Sequence, residues 1–409
     1  MKLASVKKAE GEFLLPTYDR LQILVDRGAG VYLYGADGRK YLDFLSGIGV
    51  NALGYSHPAL TKVLTKQAKK LVHVSNLFYH PYTAELAKKL AGISGLDRVF
   101  FTNSGTEAWE GALKFARAYA QHVNKNGAEP RWRMLALENS FHGRTMGSLA
   151  TTGQQKYQKP FVPLMPGVEF VRFNDVDDLK KKFDHTVCAV CMEPVQGEGG
   201  VRPVSKEFMQ AARELTKKSG ALLILDEIQS GMGRTGKYFA YQHYGVRPDI
   251  VTLAKPIAGG LPLGAILTTN AISESLHPGM HGTTFGGGPL ACAVAVEVLN
   301  VIEKQKLLAR NAKLGDYFRK QLLTLQKKHA CIKEVRGLGL FLGAELDSAD
   351  LAKATVTAML EKGIIINRTN ETVLRFLPPF IIEKKHIDVV VKALDQVLGS
   401  LAAKQAAAL

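Results

Sequence analysis

The stretch that decides the fold is ALLILDEIQS, residues 221–230. Five apolar residues in succession are followed at once by Asp226 and Glu227. A short, continuous apolar run that ends in polar residues is typical of a strand buried on both faces of a parallel sheet. The other runs with this character are DRVFFTN (97–103), RMLALENS (133–140), AVCMEPV (189–195), DIVTLAKP (249–256) and LGAILTT (263–269).

Helix-like segments separate these strands, as TEAWEGALKFARAYAQ (106–121) does after the first of them. Strands that alternate with helices predict an α/β fold with a large, doubly wound domain and a mainly parallel sheet. From about residue 301 a long helix-like stretch and mixed strands predict a smaller α+β domain. We therefore expect residues 1–65 to join the small domain, residues 66–305 to form the large domain, and residues 306–409 to form the C-terminal small domain.

The composition indicates an ordinary folded protein with a basic surface. Its 409 residues are 46% hydrophobic and 22% charged, which excludes a disordered chain and a disulfide-dense secreted scaffold. A net charge of +16 favours anionic ligands, although an ordinary solvated surface also explains it. Because no arginine-rich block with interleaved aromatic residues occurs, we expect no nucleic-acid partner.

Cysteine usage and hydropathy predict a cytoplasmic protein without a membrane span. The chain has only four cysteines, and its N-terminus lacks an apolar core of signal-peptide length. No apolar run reaches the roughly 18 residues of a membrane-spanning helix. Cys188 and Cys191 form a lone C-x-x-C in a predicted strand, where we expect them to be buried on opposite faces and to bind no metal.

Asp226 and Lys255 are the first candidates for chemistry. Asp226 ends one predicted strand and Lys255 ends the next, at the sheet edge where parallel sheets bind ligands. A buried ion pair or two unrelated solvated side chains would also explain them. The functional interpretation is a carboxylate that keeps a ring nitrogen protonated beside a lysine that forms an imine, as in enzymes that use pyridoxal phosphate (PLP).

A phosphate group would need its own binding site. Ser104, Gly105 and Thr106 open a predicted helix, whose free N–H groups favour an anion. Ser104 and Glu107 also match a capping box, which is the structural alternative. The run TTFGGGP, residues 283–289, is a second glycine- and hydroxyl-rich helix start.

Phe141 and Arg144 follow another strand, where a phenylalanine would cover a planar ring and an arginine would bind a carboxylate. Taken alone, the two residues are better explained as a core phenylalanine and a solvated arginine. No catalytic role is assigned to His142 between them.

The segment from Gly231 to Lys237 matches G-x-G-x-x-G and nearly matches a P-loop. A dinucleotide site requires a helix that opens at once, and a P-loop requires a hydroxyl where Tyr238 stands. We therefore expect a glycine-rich turn beside a site, with a P-loop-like nucleotide-binding module as the alternative from a different class.

In order along the chain, these motifs make the sequence resemble the class III PLP-dependent aminotransferases. The resemblance spans about residues 15–395. The segments that carry it are GVNALGYSHP (49–58), SNLFYHP (75–81), DRVFFTNSGTEA (97–108), FHGRTMGSLATTGQQKYQ (141–158), EPVQGEGGV (193–201), LDEIQSGMGRTG (225–236), PDIVTLAK (248–255), HGTTFGGGPLACAVA (281–295) and VLRFLPP (373–379).

The resemblance implies a fold-type I transferase, with residues 66–305 as the PLP-binding domain, that assembles as a homodimer with active sites at the subunit interface. It implies catalytic roles for Lys255, which forms the imine, and for Asp226, which pairs with the ring nitrogen. The implied cofactor contacts are those of Ser104, Gly105, Thr106, Phe141, Asp226, Glu227, Ile228, Gln229 and Lys255, with Thr284 from the other subunit. The implied substrate contacts are those of Arg144, Thr283, Arg375 and Glu198, and no metal is implied.

Within the family, the sequence most resembles members that transfer the terminal amine of N2-acetylornithine to 2-oxoglutarate, giving glutamate, in arginine biosynthesis. Arg375 would hold the α-carboxylate of glutamate, and Glu198 would pair with Arg375 when that carboxylate is absent. Alternative amine donors are succinylornithine, ornithine, succinyl-diaminopimelate, 4-aminobutyrate and a lysine on an acidic carrier protein; an aminomutase is a further alternative.

Three positions depart from the family pattern. Trp109 replaces a small residue or Asn, Pro256 replaces the Gly after the lysine, and Gly288 replaces the Asn before Pro289. Because a proline disfavours helical backbone in the residue before it, we expect Lys255 to be extended. These departures bear on the choice of substrate more than on the type of reaction.

Overall fold

The computed structural model describes residues 2–124 and 130–407. The residues outside this description are 1, 125–129 and 408–409. Each of the three predicted domains contains some of them. Among the described residues, the largest sheet has seven strands. Their spatial order is Arg98–Thr102, Gly264–Thr268, Ile250–Leu253, Leu222–Asp226, Val187–Met192, Arg133–Leu137 and Val168–Val171.

This sheet is mainly parallel, and the predicted α/β fold class is confirmed. Leu222–Asp226 pairs in parallel with Ile250–Leu253 on one side and with Val187–Met192 on the other. Gly264–Thr268 is the exception, because it runs antiparallel to both of its neighbours. Its apolar run looks like that of the parallel strands, so the sequence pattern does not show the reversal.

Helices cover both faces of the sheet, which explains why its strands are apolar throughout. Leu222 and Ile224 belong to the core on the side of helix Gly105–Val123, whereas Leu223 and Leu225 face the core that contains helix Lys206–Ser219. The remaining helices between residues 58 and 304 are Pro58–Ala68, Pro81–Ser94, Met146–Ala150, Gln155–Gln158, Val176–Lys182, Asn270–Ser273 and Pro289–Lys304. Short 3-10 helices occupy Lys159–Phe161, Ala240–His243 and Lys255–Ala258, and Val195–Gln196 pairs with Arg202–Pro203.

The C-terminal part of the chain contains an antiparallel sheet with helices on it. The sheet order is Ile332–Leu338, Phe341–Leu346, Val373–Phe376 and Asn367–Thr369. The helices are Leu307–Lys328, Ala349–Glu361 and Lys384–Ala407.

The N-terminal segment packs with this C-terminal part through a shared sheet. It contains helices Leu3–Phe13 and Ser46–Gly49 and strands Val25–Ala29, Tyr32–Gly35 and Lys40–Asp43. The last of these strands pairs in parallel with Ile364–Ile365. The division into domains remains a prediction, which this pairing supports.

The glycine-rich segment after residue 230 forms turns and packs against helix Leu307–Lys328. Gly236 has a φ of +89°, and a Cβ there would lie 2.8 Å from the Cβ of Ala312. Lys237 donates its amine to the Gln242 carbonyl at 2.8 Å. The glycines therefore permit these turns to pack closely against helix Leu307–Lys328. A nucleotide-binding loop would lead directly into a helix, and this segment does not.

All four cysteines are free thiols, and Cys188 and Cys191 are buried as expected. The expectation that these two face opposite sides was wrong, since both belong to the core beside helix Gly105–Val123. The register against Arg133–Leu137 skips Cys188, so a bulge turns its side chain to the face that Cys191 occupies. In the described chain, every helix is too short or too polar to cross a membrane.

Candidate active site

Asp226 and Lys255 lie on the wall of one cavity of roughly 400 Å³. Asp226 ends its strand, and Thr252 is its register partner on the neighbouring parallel strand. Lys255 follows that strand by two residues and opens a 3-10 helix. Parallel neighbours end at the same edge of the sheet, which brings together side chains 29 residues apart in sequence.

The backbone at Lys255 is in the left-handed region, with a φ of +33°. The expectation that Pro256 would keep Lys255 extended was therefore wrong. A non-glycine residue with positive φ is strained and needs support from its surroundings. Burial lowers the pKa of the Lys255 amine, and the nearby Glu198 and Asp226 carboxylates only partly oppose this effect.

Asp226 is held by three groups, one of which sequence reasoning missed. Its Oδ1 accepts from the Ile228 amide at 3.0 Å and from the Thr252 hydroxyl at 3.4 Å. Its Oδ2 lies 2.7 Å from Nδ1 of His142, a residue to which the sequence assigned no role. Because a carboxylate only accepts, His142 carries its proton on Nδ1.

The Trp109 indole adds to this network by stacking on the ring of His142. Its ring lies 3.9 Å from the His142 ring, centroid to centroid, at an interplanar angle of 6°. The indole N–H donates to the Thr151 hydroxyl at 2.7 Å, and Trp109 is fully buried. His142 Nε2 is buried without a hydrogen-bond partner among the described residues, so a second ring proton would have no acceptor there.

The start of helix Gly105–Val123 forms another part of the cavity wall. Ser104 caps the helix through its hydroxyl, which accepts from the Glu107 amide at 3.3 Å. The Glu107 carboxylate accepts from the Asn103 amide at 2.7 Å, so the expected capping box is displaced by one residue. Gly105 and Thr106 are the first two helical residues, whose N–H groups have no partner within a helix.

Most of the other predicted cofactor residues line the same cavity. Phe141, Ile228 and Gln229 contribute to its wall, and so does Arg144, which was predicted to contact the substrate. The Glu227 side chain lies elsewhere, because its carboxylate accepts from the Ser230 hydroxyl at 2.6 Å and from the Tyr241 amide at 2.8 Å.

Arg375 and Glu198 form an ion pair next to the cavity. The Arg375 guanidinium is 1% exposed and lies 2.5 Å from Oε1 of Glu198. It also donates to the side-chain oxygen of Gln229 at 3.1 Å, and Gln229 does line the cavity. Although burial alone would raise the pKa of Glu198, the Arg375 guanidinium lowers it overall.

Thr283 and Thr284 do not line this cavity. The Thr283 hydroxyl accepts from the Asn103 side chain at 3.1 Å, and Thr284 is exposed. Gly288 caps helix Pro289–Lys304 and also lies outside the cavity wall. In the part of the chain that the structure describes, no cluster of three or more His, Cys, Asp or Glu side chains is arranged to hold a metal ion.

Glu193 is a second buried acid of the site that sequence reasoning missed. It lines the cavity, and its carboxylate accepts from the Phe141 and Gly197 amides, both at 3.0 Å. Burial, with a further contribution from the Asp226 charge, raises the pKa of Glu193 to about 8. Glu193 directly follows the apolar part of its predicted strand, AVCMEPV, which is the same signal that singled out Asp226.

Comparison with known proteins identifies the family. The model of the family described as aminotransferase class-III matches residues 14–398. An acetylornithine aminotransferase of Methanocaldococcus jannaschii is 49% identical over 395 residues, covering 96% of this chain and 97% of that one. This chain belongs to the class-III aminotransferase family, as the sequence motifs predicted.

Solved structures agree with this assignment. An ornithine aminotransferase from Toxoplasma gondii, with PLP at partial occupancy in its active site, matches with a TM-score of 0.93 and 33% identity, covering 98% of this chain and 95% of that one. An acetylornithine aminotransferase from Elizabethkingia anophelis matches with a TM-score of 0.86 and 34% identity, covering 98% of this chain and 100% of that one.

Changing Glu193 to Gln should reduce the loss of stability between pH 5 and pH 8. Glu193 binds its proton more tightly in the folded chain than in the unfolded chain. Its contribution to stability is therefore complete below pH 4.5 and is lost as the pH rises through about 8. We expect the free energy of unfolding to fall over this range by a few kcal/mol less in Glu193→Gln, on the order given by the linkage relation.

The measurement is guanidinium unfolding at pH 5 and pH 8, and only the difference between the two values is compared. Glu138→Gln, which changes an exposed carboxylate nearby, is the matched control and should keep the wild-type difference. An identical pH dependence in Glu193→Gln and wild type would contradict the assignment of a raised pKa to Glu193.

Proposed function

We propose that this enzyme binds PLP and transfers the terminal amine of N2-acetylornithine to 2-oxoglutarate, producing glutamate. The observation that carries the proposal is a half-buried lysine, whose amine has a lowered pKa, and a buried carboxylate on the wall of one cavity. The 49% identity to an acetylornithine aminotransferase over 96% of the chain supports the choice of donor. The cytoplasmic location expected from the sequence remains a prediction, with which the four free thiols are compatible.

The described residues fit the cofactor at each of its functional groups. The first N–H groups of helix Gly105–Val123 suit a phosphate, and the side chains of Phe141 and Ile228 offer apolar contacts to a flat ring. Asp226 suits a protonated ring nitrogen, because its Oδ2 is not saturated by the single bond to His142. Gln229 lies on the same wall and would reach the ring hydroxyl.

When bound, PLP supplies an electron-accepting ring that stabilises charge on a substrate carbon after loss of a proton. Asp226 holds the proton on the ring nitrogen and so strengthens this acceptance. Lys255 would hold the cofactor, and its Nζ, once free, would take the proton from the reacting carbon and return it to the carbon on the other side of the transferred nitrogen. The lowered pKa of this amine favours the uncharged form that can accept a proton.

The two substrates place different demands on Arg375. Glutamate and 2-oxoglutarate react next to a carboxylate, which Arg375 would bind, whereas N2-acetylornithine reacts at an amine far from its carboxylate. A buried guanidinium left without an anion is costly, so Glu198 pairs with it while the acylated donor is bound. Since both half-reactions use one cavity, the first product leaves before the acceptor enters, which gives ping-pong kinetics.

Changing Lys255 to Ala should lower turnover at least about 1000-fold, because the variant loses both the covalent attachment and the proton carrier. The fold should remain intact by circular dichroism. Lys237→Ala is the matched control, since that amine bonds to a backbone carbonyl away from the cavity and should leave turnover unchanged. Borohydride reduction and peptide mapping should find the pyridoxyl group on Lys255.

A donor panel with 2-oxoglutarate as acceptor tests the substrate. We expect kcat/KM to be highest for N2-acetylornithine, compared with succinylornithine, ornithine, succinyl-diaminopimelate, 4-aminobutyrate and a carrier-bound lysine. If kcat/KM is higher for another donor, that donor replaces N2-acetylornithine in the proposal. In the mapping experiment on Lys255, a pyridoxyl group on a different lysine would refute the assignment of that residue. Isomerisation of an amine without any acceptor would indicate the aminomutase alternative.

Changing Glu198 to Ala should shift the preference of the enzyme towards glutamate. With its counterion removed, the buried Arg375 guanidinium gains more from binding a carboxylate. We expect the ratio of kcat/KM for glutamate to that for N2-acetylornithine to rise about tenfold or more. Glu198→Gln keeps the shape of the side chain, and its ratio should lie between those of wild type and Glu198→Ala. An unchanged ratio in Glu198→Ala would refute the role of Glu198 as an exchangeable partner of Arg375.

We also propose that the enzyme is a homodimer whose partner subunit completes the site. The side chains of Leu77, Phe78 and Phe285 are all largely exposed, with Phe285 66% exposed. Asn76 joins their two segments by donating to the Thr283 carbonyl at 3.0 Å. Exposed apolar side chains grouped in this way are typical of an interface, and the neighbouring Thr284 hydroxyl would reach the phosphate in the other subunit.

Coexpression of Lys255→Ala chains with Thr284→Ala chains tests this arrangement. We expect Thr284→Ala alone to bind PLP about tenfold more weakly, because a hydrogen bond to a charged group is lost. In a mixed dimer, one of the two sites contains both native residues. Because random pairing makes about half of the dimers mixed, about a quarter of wild-type activity should return at limiting PLP. Activity no higher than that of Thr284→Ala alone, or a monomer in sedimentation analysis, would contradict the shared site.

A further inference from the structure

The Arg144 guanidinium lies over the aromatic ring of Tyr157, a residue outside the cavity wall. Its central carbon is 3.8 Å from the centre of the Tyr157 ring and 5.5 Å from that of Phe141. The two rings meet nearly at right angles, at 81° and 6.0 Å between centroids. Arg144 and Phe141 both line the cavity, so the stacked guanidinium lies at its wall.

Arg144 differs from the other arginine of the site in how it is held. Arg375 is bonded to Glu198, Gln229 and Asn367 through its N–H groups. Among the described residues, Arg144 has no hydrogen bond and no ion pair. A contact over an aromatic ring gives the five N–H groups of a guanidinium no hydrogen-bond acceptor. The donors of Arg144 are therefore free to bind a planar anion.

The segment that carries Tyr157 is tied to the loop that carries Arg144. Gln154 donates to the Ser140 carbonyl at 3.2 Å, and Gln158 donates to the Leu149 carbonyl at 3.1 Å. These bonds flank Tyr157 on both sides and attach short helix Gln155–Gln158 to the chain before and after Arg144. The ring is thus fixed relative to the cavity wall, and it limits the orientations open to the guanidinium.

We infer that Tyr157 is a positioning residue that orients Arg144 to receive the carboxylate of the amine donor. Tyr157 thereby makes the enzyme select acylated diamines that carry a carboxylate over those that lack one. The inference rests on the proposed function, since it assumes that the donor binds along this wall. Lys156, whose amine is 5.1 Å from the Tyr157 ring centre, adds positive charge and the same preference for an anion.

Two variants separate the ring from its hydroxyl. Tyr157→Leu removes the aromatic face, and Tyr157→Phe keeps it. With N2-acetylornithine we expect Tyr157→Leu to raise KM about tenfold with little change in kcat, because a cation–π contact at a partly exposed site is lost. Tyr157→Phe should stay within about twofold of wild type, because the face that holds Arg144 is unchanged.

The decisive comparison uses N-acetylputrescine, which is the same acylated diamine without the carboxylate. Its KM should be the same in wild type and Tyr157→Leu. Calorimetry with N2-acetylnorvaline, which has the carboxylate but no terminal amine, should show a Kd about tenfold higher in Tyr157→Leu only. This equilibrium measurement does not depend on turnover.

Equal losses of kcat/KM for both donors in Tyr157→Leu, or a Tyr157→Phe variant as impaired as Tyr157→Leu, would overturn the inference. If the wild type does not use N2-acetylornithine, the proposed function fails separately. The same comparison is then made with the carboxylate-bearing donor that the wild type prefers and its decarboxylated counterpart, so that Tyr157 is tested in either case.

Discussion

A primary amine on a cavity wall, with two carboxyl groups on the same wall and a third close by, is the constraint on which the rest of this structure depends. Isolated, the Lys255 ammonium would be too costly to bury, and its lowered pKa expresses that cost. Asp226, Glu193 and Glu198 moderate it, and each of these acids is itself anchored. Asp226 is bonded to His142 and Ile228, Glu193 to two backbone amides, and Glu198 to Arg375. Each acid near the amine therefore has hydrogen-bond or ion-pair partners of its own, which hold it in place around Lys255.

The sheet explains how so few signals in the sequence were enough to predict Asp226 and Lys255 together. Strands buried on both faces must be apolar throughout, so a polar residue directly after such a run marks the carboxyl edge. Asp226 and Lys255 satisfied that rule on neighbouring strands and were predicted together. The antiparallel strand Gly264–Thr268 satisfies the same burial pattern, and for that reason hydropathy alone could not reveal its direction.

What the sequence did not predict depends on contacts between distant segments. His142 and Trp109 are 33 residues apart, and nothing in their spacing announces a ring stack beneath Asp226. The left-handed backbone of Lys255 contradicts the local preference set by Pro256, so tertiary packing overrides it. Glu227 and Asp226 are adjacent, yet one carboxylate faces the cavity and the other bonds to the Tyr241 amide. Sequence position identifies the edge of the sheet but not the direction of each side chain.

The two arginines of the site show how burial determines the kind of partner that each requires. Arg375 is almost completely buried, and a charge in that position needs an anion at all times. Glu198 supplies it, and its partial exposure would permit the displacement that the proposed function requires. Arg144 is exposed to solvent, which hydrates its charge, so it needs no acid but only an orienting surface, which the Tyr157 ring provides. A permanent acid beside Arg144 would compete with the donor carboxylate, whereas an aromatic face does not. The difference in exposure between the two side chains thus accounts for one arginine with an exchangeable counterion and one with none.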